Sequence, residues 1–274
     1  MLIAQISDTH ITAPGRKALG DRVDTAQALK RALDHILGMA VPPDTLIVTG
    51  DVADHGQAEE YDHFRMLLAP LSLPLLACPG NHDDPALLKG ALAAMDPHQG
   101  QWSKGPTLDV TMDLGSLRFV GLDTTVDGAP HGQIREHQLA WLDSRLAEAA
   151  FLELPVVLFL HHPPFTTGIA HMDRMGLRES DGLATVLTRH QGRVVRLLCG
   201  HIHRHISTLW HGVPTIVGPS TAYSVSLDLD SQASATFAFE TPTLLLHHWN
   251  ARESTMVTHT VPIGAADGAF PCET

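Results

Sequence analysis

Short apolar runs that stop abruptly at polar residues are the dominant pattern of this chain. Nearly continuous apolar sequence of this length is typical of strands buried on both faces of a sheet. The runs are Leu2–Ile6, Thr45–Thr49, Leu73–Cys78, Val156–Leu160 and Val194–Cys199. Between several of them, apolar residues recur every three or four positions, as on one face of a helix. This alternation of strands and helices predicts an α/β fold.

Helices are predicted from this periodicity at five places. The first follows Asp24, whose side chain suits an N-cap, and it ends before Pro42. The others are predicted at 57–69, 85–95, 134–150 and 180–190. Residues 11–23 and 163–178 are rich in glycine and proline, so we predict loops there.

Strand periodicity takes over in the second half of the chain. Alternating residues at 107–114 and 117–123 flank Gly115-Ser116 and predict an antiparallel hairpin. Two further strand pairs are predicted, at 206–210 with 213–217 and at 243–249 with 255–261. We therefore predict one domain over residues 1–274, with two sheets, each mixed or largely parallel, covered by helices. Residues 264–274 are expected to form a tail.

Charge and composition restrict the classes of binding partner and the cellular compartment that we expect. The formal net charge of −12 disfavours binding to a nucleic acid polymer or to an anionic membrane surface, since both need basic patches. The sequence contains no apolar stretch of roughly 18 residues, the length needed to span a bilayer. Three cysteines cannot form a disulfide framework, and the N-terminus reads as a strand rather than a signal peptide, so we expect a cytoplasmic protein. Cys272 in the tail could pair between subunits.

Five predicted strand ends carry side chains that bind metal ions. Asp8 and His10 stand two positions apart after the first strand, so both side chains point the same way. The later strand ends carry Gly50-Asp51, Gly80-Asn81-His82-Asp83, His161-His162-Pro163 and Gly200-His201-Ile202-His203. Ligands in α/β folds collect at the carboxyl ends of strands, so we expect one shared site.

The predicted metal ligands are oxygen and nitrogen donors without a thiolate. They are Asp8, His10, Asp51, Asn81, His161, His201 and His203. Asp51 has two carboxylate oxygens and is the candidate bridge between two cations, while Asn81 offers a neutral amide oxygen. Such a set is typical of Mn, Fe, Zn or Co rather than of a structural zinc site. We predict two divalent metal ions as cofactors.

A pair of such ions suits phosphoryl transfer. The ions lower the pKa of a bound water that attacks phosphorus, hold the phosphate in line, and neutralise developing charge. His82 follows Asn81 directly and is predicted to contact the phosphate or to protonate the leaving group. Asp83 is predicted to orient a nearby histidine. Asp51 and His82 are thus the predicted catalytic residues, and Asn81 and His82 the predicted substrate contacts.

In their order along the chain, these motifs resemble the calcineurin-like metallophosphoesterase superfamily. Its pattern of D-x-H, G-D, G-N-H-[DE], H and G-H-x-H stands here as Asp8-Thr9-His10, Gly50-Asp51, Gly80-Asn81-His82-Asp83, His161 and Gly200-His201-Ile202-His203. Each block is weak alone, but five in order are highly specific. Within the superfamily, Ile6-Ser7-Asp8-Thr9-His10 and His161-His162-Pro163-Pro164 resemble bacterial class III cyclic nucleotide phosphodiesterases and the related glycerophosphodiesterases.

The resemblance implies a four-layer α/β/β/α sandwich with two mixed sheets and a small C-terminal cap. Family members often form homo-oligomers through this cap, which we assign to about 218–241. The resemblance also implies a first ion held by Asp8, His10, Asp51 and His203, a second held by Asp51, Asn81, His161 and His201, and a phosphate contact from His82. The substrate it implies is a small phosphodiester, either a 3′,5′-cyclic nucleotide or a glycerophosphodiester.

Two other functions fit the same ligand set. A phosphomonoesterase is one, although the sequence lacks an Arg/Lys cluster suited to a dianionic phosphate. A metal-bound interaction module without turnover is the other, although such modules usually lose ligands. Among neighbouring residues, we expect His162 to turn toward the backbone, and His171 and Met172 are candidates for lining the substrate pocket.

Overall fold

The first of two large sheets carries the N-terminal strand. The computed structural model describes residues 1–95 and 100–264. The sheet has five strands in the order Thr255–Pro262, Thr243–Asn250, Leu2–Ile6, Thr45–Thr49 and Leu75–Cys78. The last three of these are parallel, whereas Thr243–Asn250 is antiparallel to both of its neighbours.

The second sheet has seven strands. Their order is Ile206–Trp210, Val213–Val217, Val194–Cys199, Val156–Leu160, Leu117–Leu122, Val110–Leu114 and Gln101–Trp102. The four strands from Val213–Val217 to Leu117–Leu122 are parallel, and the outer pairs are antiparallel. Both sheets are therefore mixed, as predicted.

Helices cover the outer face of each sheet. Helices Thr25–Leu37, Ala58–Leu68 and Pro85–Met95 lie on the first sheet, and Glu136–Phe151 and Asp181–Arg189 lie on the second. Along Leu2–Ile6, Ala4 and Ile6 pack under the helices while Ile3 packs with Phe159 of the opposite sheet. Because successive strand residues point to opposite faces, each inner strand needs apolar residues at nearly every position. The four-layer α/β/β/α prediction is confirmed.

Several short elements depart from the predictions. The third strand begins at Leu75 rather than Leu73, because Pro74 has no amide hydrogen for the ladder and supplies only its carbonyl to Leu46. The predicted loop 163–178 contains the helical turn Ala170–Asp173 and the strand Leu177–Arg178, which pairs with Gly132–Gln133. Two-residue strands of this kind are too short to show periodicity.

The stretch 218–241 forms a small hairpin of Ser224–Val225 with Phe237–Ala238. Apart from Gly264, the predicted tail at 264–274, with Cys272, lies outside the described residues. Within the described ranges, none of the helices has the length and apolarity needed to cross a bilayer.

Candidate metal centre

Strand ends from both sheets meet at one place. Ligand atoms of Asp8, His10, Asp51 and His203 all lie within 4.8 Å of one another, and so do those of a second group, His161, His162 and His201. Asp51 connects the two groups, since its Oδ2 lies 3.6 Å from His10 Nε2 and 3.3 Å from His161 Nε2. The structure therefore gathers the predicted aspartates and histidines around one carboxylate.

The backbone is turned sharply where the strands end. Five of the predicted ligands have left-handed φ angles between 43° and 73°; they are Asp8, His10, Asp51, His201 and His203. This conformation is uncommon for residues with a side chain, although Asp, Asn and His adopt it more often than others. Backbone strain concentrated in this way is characteristic of functional sites, where it aims side chains that extended strands would not bring together.

Two glycines make room for the ligands. Gly50 has a φ of 91°, and a Cβ there would collide with the ring of His161. A Cβ on Gly80 would collide with the carboxylate and amide of Asp51. Because the collisions involve ligand side chains directly, any larger residue at these positions would displace a ligand.

Buried polar atoms without a hydrogen-bond partner show that the cluster suits cations. Asn81 Oδ1 and His201 Nε2 are both buried and unpartnered, and His10 Nε2 lies 3.2 Å from His203 Nε2. Unpaired buried polar atoms are costly unless something satisfies them. The donors are carboxylate, amide and imidazole atoms, which suit divalent Mn, Fe, Zn or Co. The residues present therefore fit the metal ions that the sequence predicts.

The protonation states of Asp51 and His201 favour cation binding. Burial would raise the pKa of Asp51, but His161 and His10 outweigh it and hold that pKa well below its usual range. Burial lowers the pKa of His201 to about 3, so its ring is neutral with a free lone pair. Burial also raises the pKa of Asp8 to about 6. Against the effect of burial, Asp51 raises the pKa of His161 to about 9.

Asp54, which the sequence reasoning missed, contacts a predicted ligand. Its Oδ1 lies 3.2 Å from His10 Nδ1 and its Oδ2 lies 3.4 Å from His55 Nδ1. A carboxylate at the far side of a metal-binding imidazole fixes the ring and raises its basicity. The only signal in the sequence was a second aspartate three residues after Asp51.

The prediction for Asp83 was wrong. Its carboxylate accepts hydrogen bonds from the amides of Val52, Ala53 and Gly80 at 2.9 to 3.0 Å, and from the Tyr61 hydroxyl. Asp83 therefore braces the loop behind Asp51 instead of orienting a histidine. Three converging amides are a stronger attraction for a carboxylate than one neutral ring.

His82 lies at the rim of the cluster. Its amide donates to Asp51 Oδ1 at 2.9 Å, and its ring Nδ1 donates to the Asp54 carbonyl at 2.7 Å. The ring is exposed and packs edge-on against His10, with 4.7 Å between ring centroids. Nε2 is the ring nitrogen left for a ligand.

His162 lies near the backbone of Pro130, as predicted, but it also reaches the histidine cluster, which was not predicted. It is fully buried, and its Nδ1 lies 2.7 Å from the Thr124 hydroxyl. Its ring lies 4.8 Å from that of His161 and 4.7 Å from that of His201, with Nε2 unpartnered. His162 therefore belongs to the histidine cluster, and Gly132 makes room for it.

A polar cavity of about 570 Å³ opens beside the cluster. Its lining includes Asn81, His82, Asp84, Thr125, Asp127 and Arg135. Met172, which was expected to line the substrate pocket with His171, packs in the core of the second sheet with its side chain 6% exposed. Neither His171 nor Met172 is among the residues that line this cavity.

Comparison with known proteins decides the family. Residues 1–205 match the calcineurin-like phosphoesterase family. The chain belongs to this family. As a calcineurin-like phosphoesterase it is a hydrolase of phosphoric esters, and the cluster of aspartates and histidines at its strand ends is the candidate metal site.

Relatives of this calcineurin-like phosphoesterase carry two kinds of name. A probable glycerophosphodiester phosphodiesterase of Arcobacter nitrofigilis is 36% identical over 272 residues, covering 99% of this chain and 96% of the relative. The 3′,5′-cyclic adenosine monophosphate phosphodiesterase of Escherichia coli is 32% identical over 252 residues, covering 89% and 85%. A cAMP/cGMP dual specificity phosphodiesterase of Mycobacterium tuberculosis is 35% identical over 231 residues, covering 82% and 69%.

Solved structures support the fold of this calcineurin-like phosphoesterase. A dimetal phosphatase from Danio rerio superimposes with a TM-score of 0.67 at 16% identity, covering 96% of this chain and 99% of that one. At this identity the likeness concerns the arrangement of the sheets and helices.

Proposed function

We propose that this phosphoesterase hydrolyses small phosphodiesters with the help of two divalent metal ions. The observation that carries the proposal is the position of Asp51 Oδ2, which faces His10 on one side and His161 on the other. A carboxylate between two groups of ligands is suited to bridge two cations.

The proposed ligands divide into two sets that share Asp51. Asp8, His10, Asp51 and His203 would hold one ion, and Asp51, Asn81, His161 and His201 the other. When bound, the ions supply Lewis-acid charge that activates water and neutralises the phosphate in the transition state. The protein holds the ligand imidazoles in place, since Asp54 contacts His10 and the Thr49 carbonyl accepts from His161 Nδ1 at 2.7 Å.

His82 is the proposed contact to the substrate phosphate and the proposed proton donor. The Asp54 carbonyl accepts from His82 Nδ1, which fixes the ring and leaves Nε2 free at the rim of the cavity. From there Nε2 of the imidazolium form, in which both ring nitrogens carry hydrogens, can donate to a phosphate oxygen or to the departing alkoxide. Asn81, its neighbour in sequence, is proposed to share the contact with the phosphate.

The cavity supports a diester rather than a monoester. Asp84 and Asp127 are exposed at its lining, and Arg135 is its one Arg or Lys among the described residues. Carboxylates repel a dianionic monoester more strongly than a diester with a single negative charge. The names of the relatives support a glycerophosphodiester or a 3′,5′-cyclic nucleotide as the substrate.

Metal removal and return test the proposal. We expect hydrolysis of bis(p-nitrophenyl) phosphate to be lost with chelator and restored by Mn, Co or Zn, with lower kcat/KM for p-nitrophenyl phosphate. Asp51→Asn should abolish turnover, whereas the matched change Asp62→Asn, on an exposed helix face, should not. A panel of cAMP, cGMP, glycerophosphocholine and glycerophosphoethanolamine then identifies the diester. Absence of diesterase activity with every metal would refute the proposal in favour of an interaction module.

A further inference from the structure

A buried chain of polar side chains runs between the two sheets behind the metal centre. Gln5, Thr49 and His247 belong to it, and each is 0% exposed. Gln5 Nε2 donates to Thr49 Oγ1 at 3.1 Å and to the Cys199 carbonyl at 3.0 Å, while Gln5 Oε1 lies 3.0 Å from His247 Nε2. Burying a primary amide is costly unless all of its hydrogen bonds are made. Here the Gln5 amide makes three hydrogen bonds.

The partners fix the direction of each hydrogen bond. The Cys199 carbonyl can only accept, so the amide nitrogen of Gln5 faces it and Oε1 faces His247. His247 Nε2 must then donate to Gln5, and its Nδ1 accepts from the Thr258 hydroxyl at 2.9 Å. Burial lowers the pKa of His247 to about 3, so the ring is neutral and has the single proton that this arrangement requires.

Thr49 connects Gln5 to a metal ligand. The Thr49 carbonyl accepts from His161 Nδ1 at 2.7 Å and from the Ser7 hydroxyl at 3.2 Å. The Thr49 hydroxyl has two acceptors within reach, Ser7 Oγ at 2.8 Å and the Cys199 carbonyl at 3.1 Å. Because the Thr49 carbonyl accepts from His161 Nδ1, Nε2, which faces Asp51, is the ring nitrogen left to bind a metal ion.

Gln5 also joins strands of opposite sheets. Thr49 ends a strand of the first sheet and immediately precedes Gly50-Asp51, whereas Cys199 ends a strand of the second sheet and precedes Gly200-His201. The two amide hydrogens of one side chain therefore hold two strand ends that carry ligands on different sheets. Apolar packing between sheets is not directional, so it does not set such a distance as closely.

We propose that Gln5 is a positioning residue that sets the spacing between the ligand groups of the two ions. Its side chain hydrogen-bonds none of the proposed ligands and acts through Thr49 and Cys199. The inference rests on the proposed function, because it concerns the binding of a pair of ions.

Manganese binding to the full chain tests this role without measuring turnover. Gln5→Leu removes both donors and the acceptor at similar volume. We expect Mn to bind about 10-fold more weakly at one site, the lower end of the range seen when direct partners of metal ligands are removed, because Gln5 acts through Thr49 and Cys199. The electron paramagnetic resonance signal of an exchange-coupled Mn pair should also be weaker in Gln5→Leu than in wild type.

A matched control separates positioning from loss of stability. Thr45 is 0% exposed and lies at the opposite end of the Thr45–Thr49 strand, and Thr45→Val removes a hydroxyl that donates to the Pro74 carbonyl at 2.9 Å. It should lower Tm yet leave Mn affinity and the paired signal within about twofold of wild type. Equal losses of Mn affinity in Gln5→Leu and Thr45→Val would overturn the inference, and so would unchanged Mn affinity in Gln5→Leu.

A second pair of variants tests the inference even if Gln5→Leu does not fold. Thr49→Val removes the hydroxyl that accepts from Gln5 and that also contacts Ser7 and the Cys199 carbonyl, while Thr49→Ser keeps these contacts. We expect weaker Mn binding in the first and wild-type binding in the second; equal binding in both would overturn the inference. A wild-type chain that binds only one Mn would overturn the proposed function, and this inference with it.

Discussion

Replacement of Asp54 is the sharpest single test of the metal centre. Its Oδ1 lies 3.2 Å from His10 Nδ1, and the side chains are 13% and 2% exposed. Asp54→Leu leaves a side chain of similar size but removes the charge and the acceptor. The Asp54 carbonyl remains, so the hydrogen bond from His82 Nδ1 is retained.

The expected magnitude follows from burial. Metal binding at Nε2 fixes the His10 ring with Nδ1 facing position 54, and the loss of the carboxylate 3.2 Å away leaves this buried nitrogen facing a methyl group, which costs about 1–3 kcal/mol. At about 1.4 kcal/mol per factor of ten, metal affinity at this site should fall about 5- to 140-fold. Asp54→Asn keeps an acceptor oxygen and loses only the charge, so we expect a fall near the lower end of that range.

Metal titration against a competing fluorescent chelator measures the effect. His55→Ala is the matched control, because the His55 ring contacts the other carboxylate oxygen of Asp54 and its side chain is 68% exposed. It should leave affinity within about twofold of wild type. Equal affinities of Asp54→Leu and wild type would refute the reasoning that Asp54 orients His10.

Three further predictions concern His82, the proton balance and Gly50. His82→Ala should lower kcat for diesters about 100-fold or more while two ions remain bound, which metal analysis and kinetics measure together. Metal binding should release protons: with a pKa of about 9, His161 is protonated at neutral pH and must lose its proton, and below about pH 6 Asp8 must lose one as well. Affinity should therefore fall as pH falls, and calorimetry in buffers of different ionisation enthalpy would count the protons; an affinity independent of pH would contradict this. Gly50→Ala should abolish metal binding, since its Cβ would collide with the His161 ring at a φ of 91°, whereas Gly192→Ala, with open space around it, should not.

The sequence alone determined the strands and the chemistry at their ends. A continuous apolar run such as Thr45–Thr49 followed by Gly50-Asp51 is a local signal, and the structure places its elements at those residues. The same holds for the helix Thr25–Leu37, whose N-cap Asp24 accepts from the amide of Gln27 as its position predicted. Local signals suffice here because hydrogen bonding within a strand or helix, and burial on its faces, depend on near neighbours.

Only the tertiary structure decided which residues support the predicted ligands. Asp54 and Asp83 are both aspartates that closely follow a predicted ligand in sequence. Even so, Asp54 contacts His10, whereas Asp83 accepts hydrogen bonds from three backbone amides. His162 hydrogen-bonds Thr124, and Gln5 hydrogen-bonds His247, which is 242 positions away in sequence. Such contacts depend on strand order and on the distance between the two sheets, which the spacing of residues along the chain does not encode.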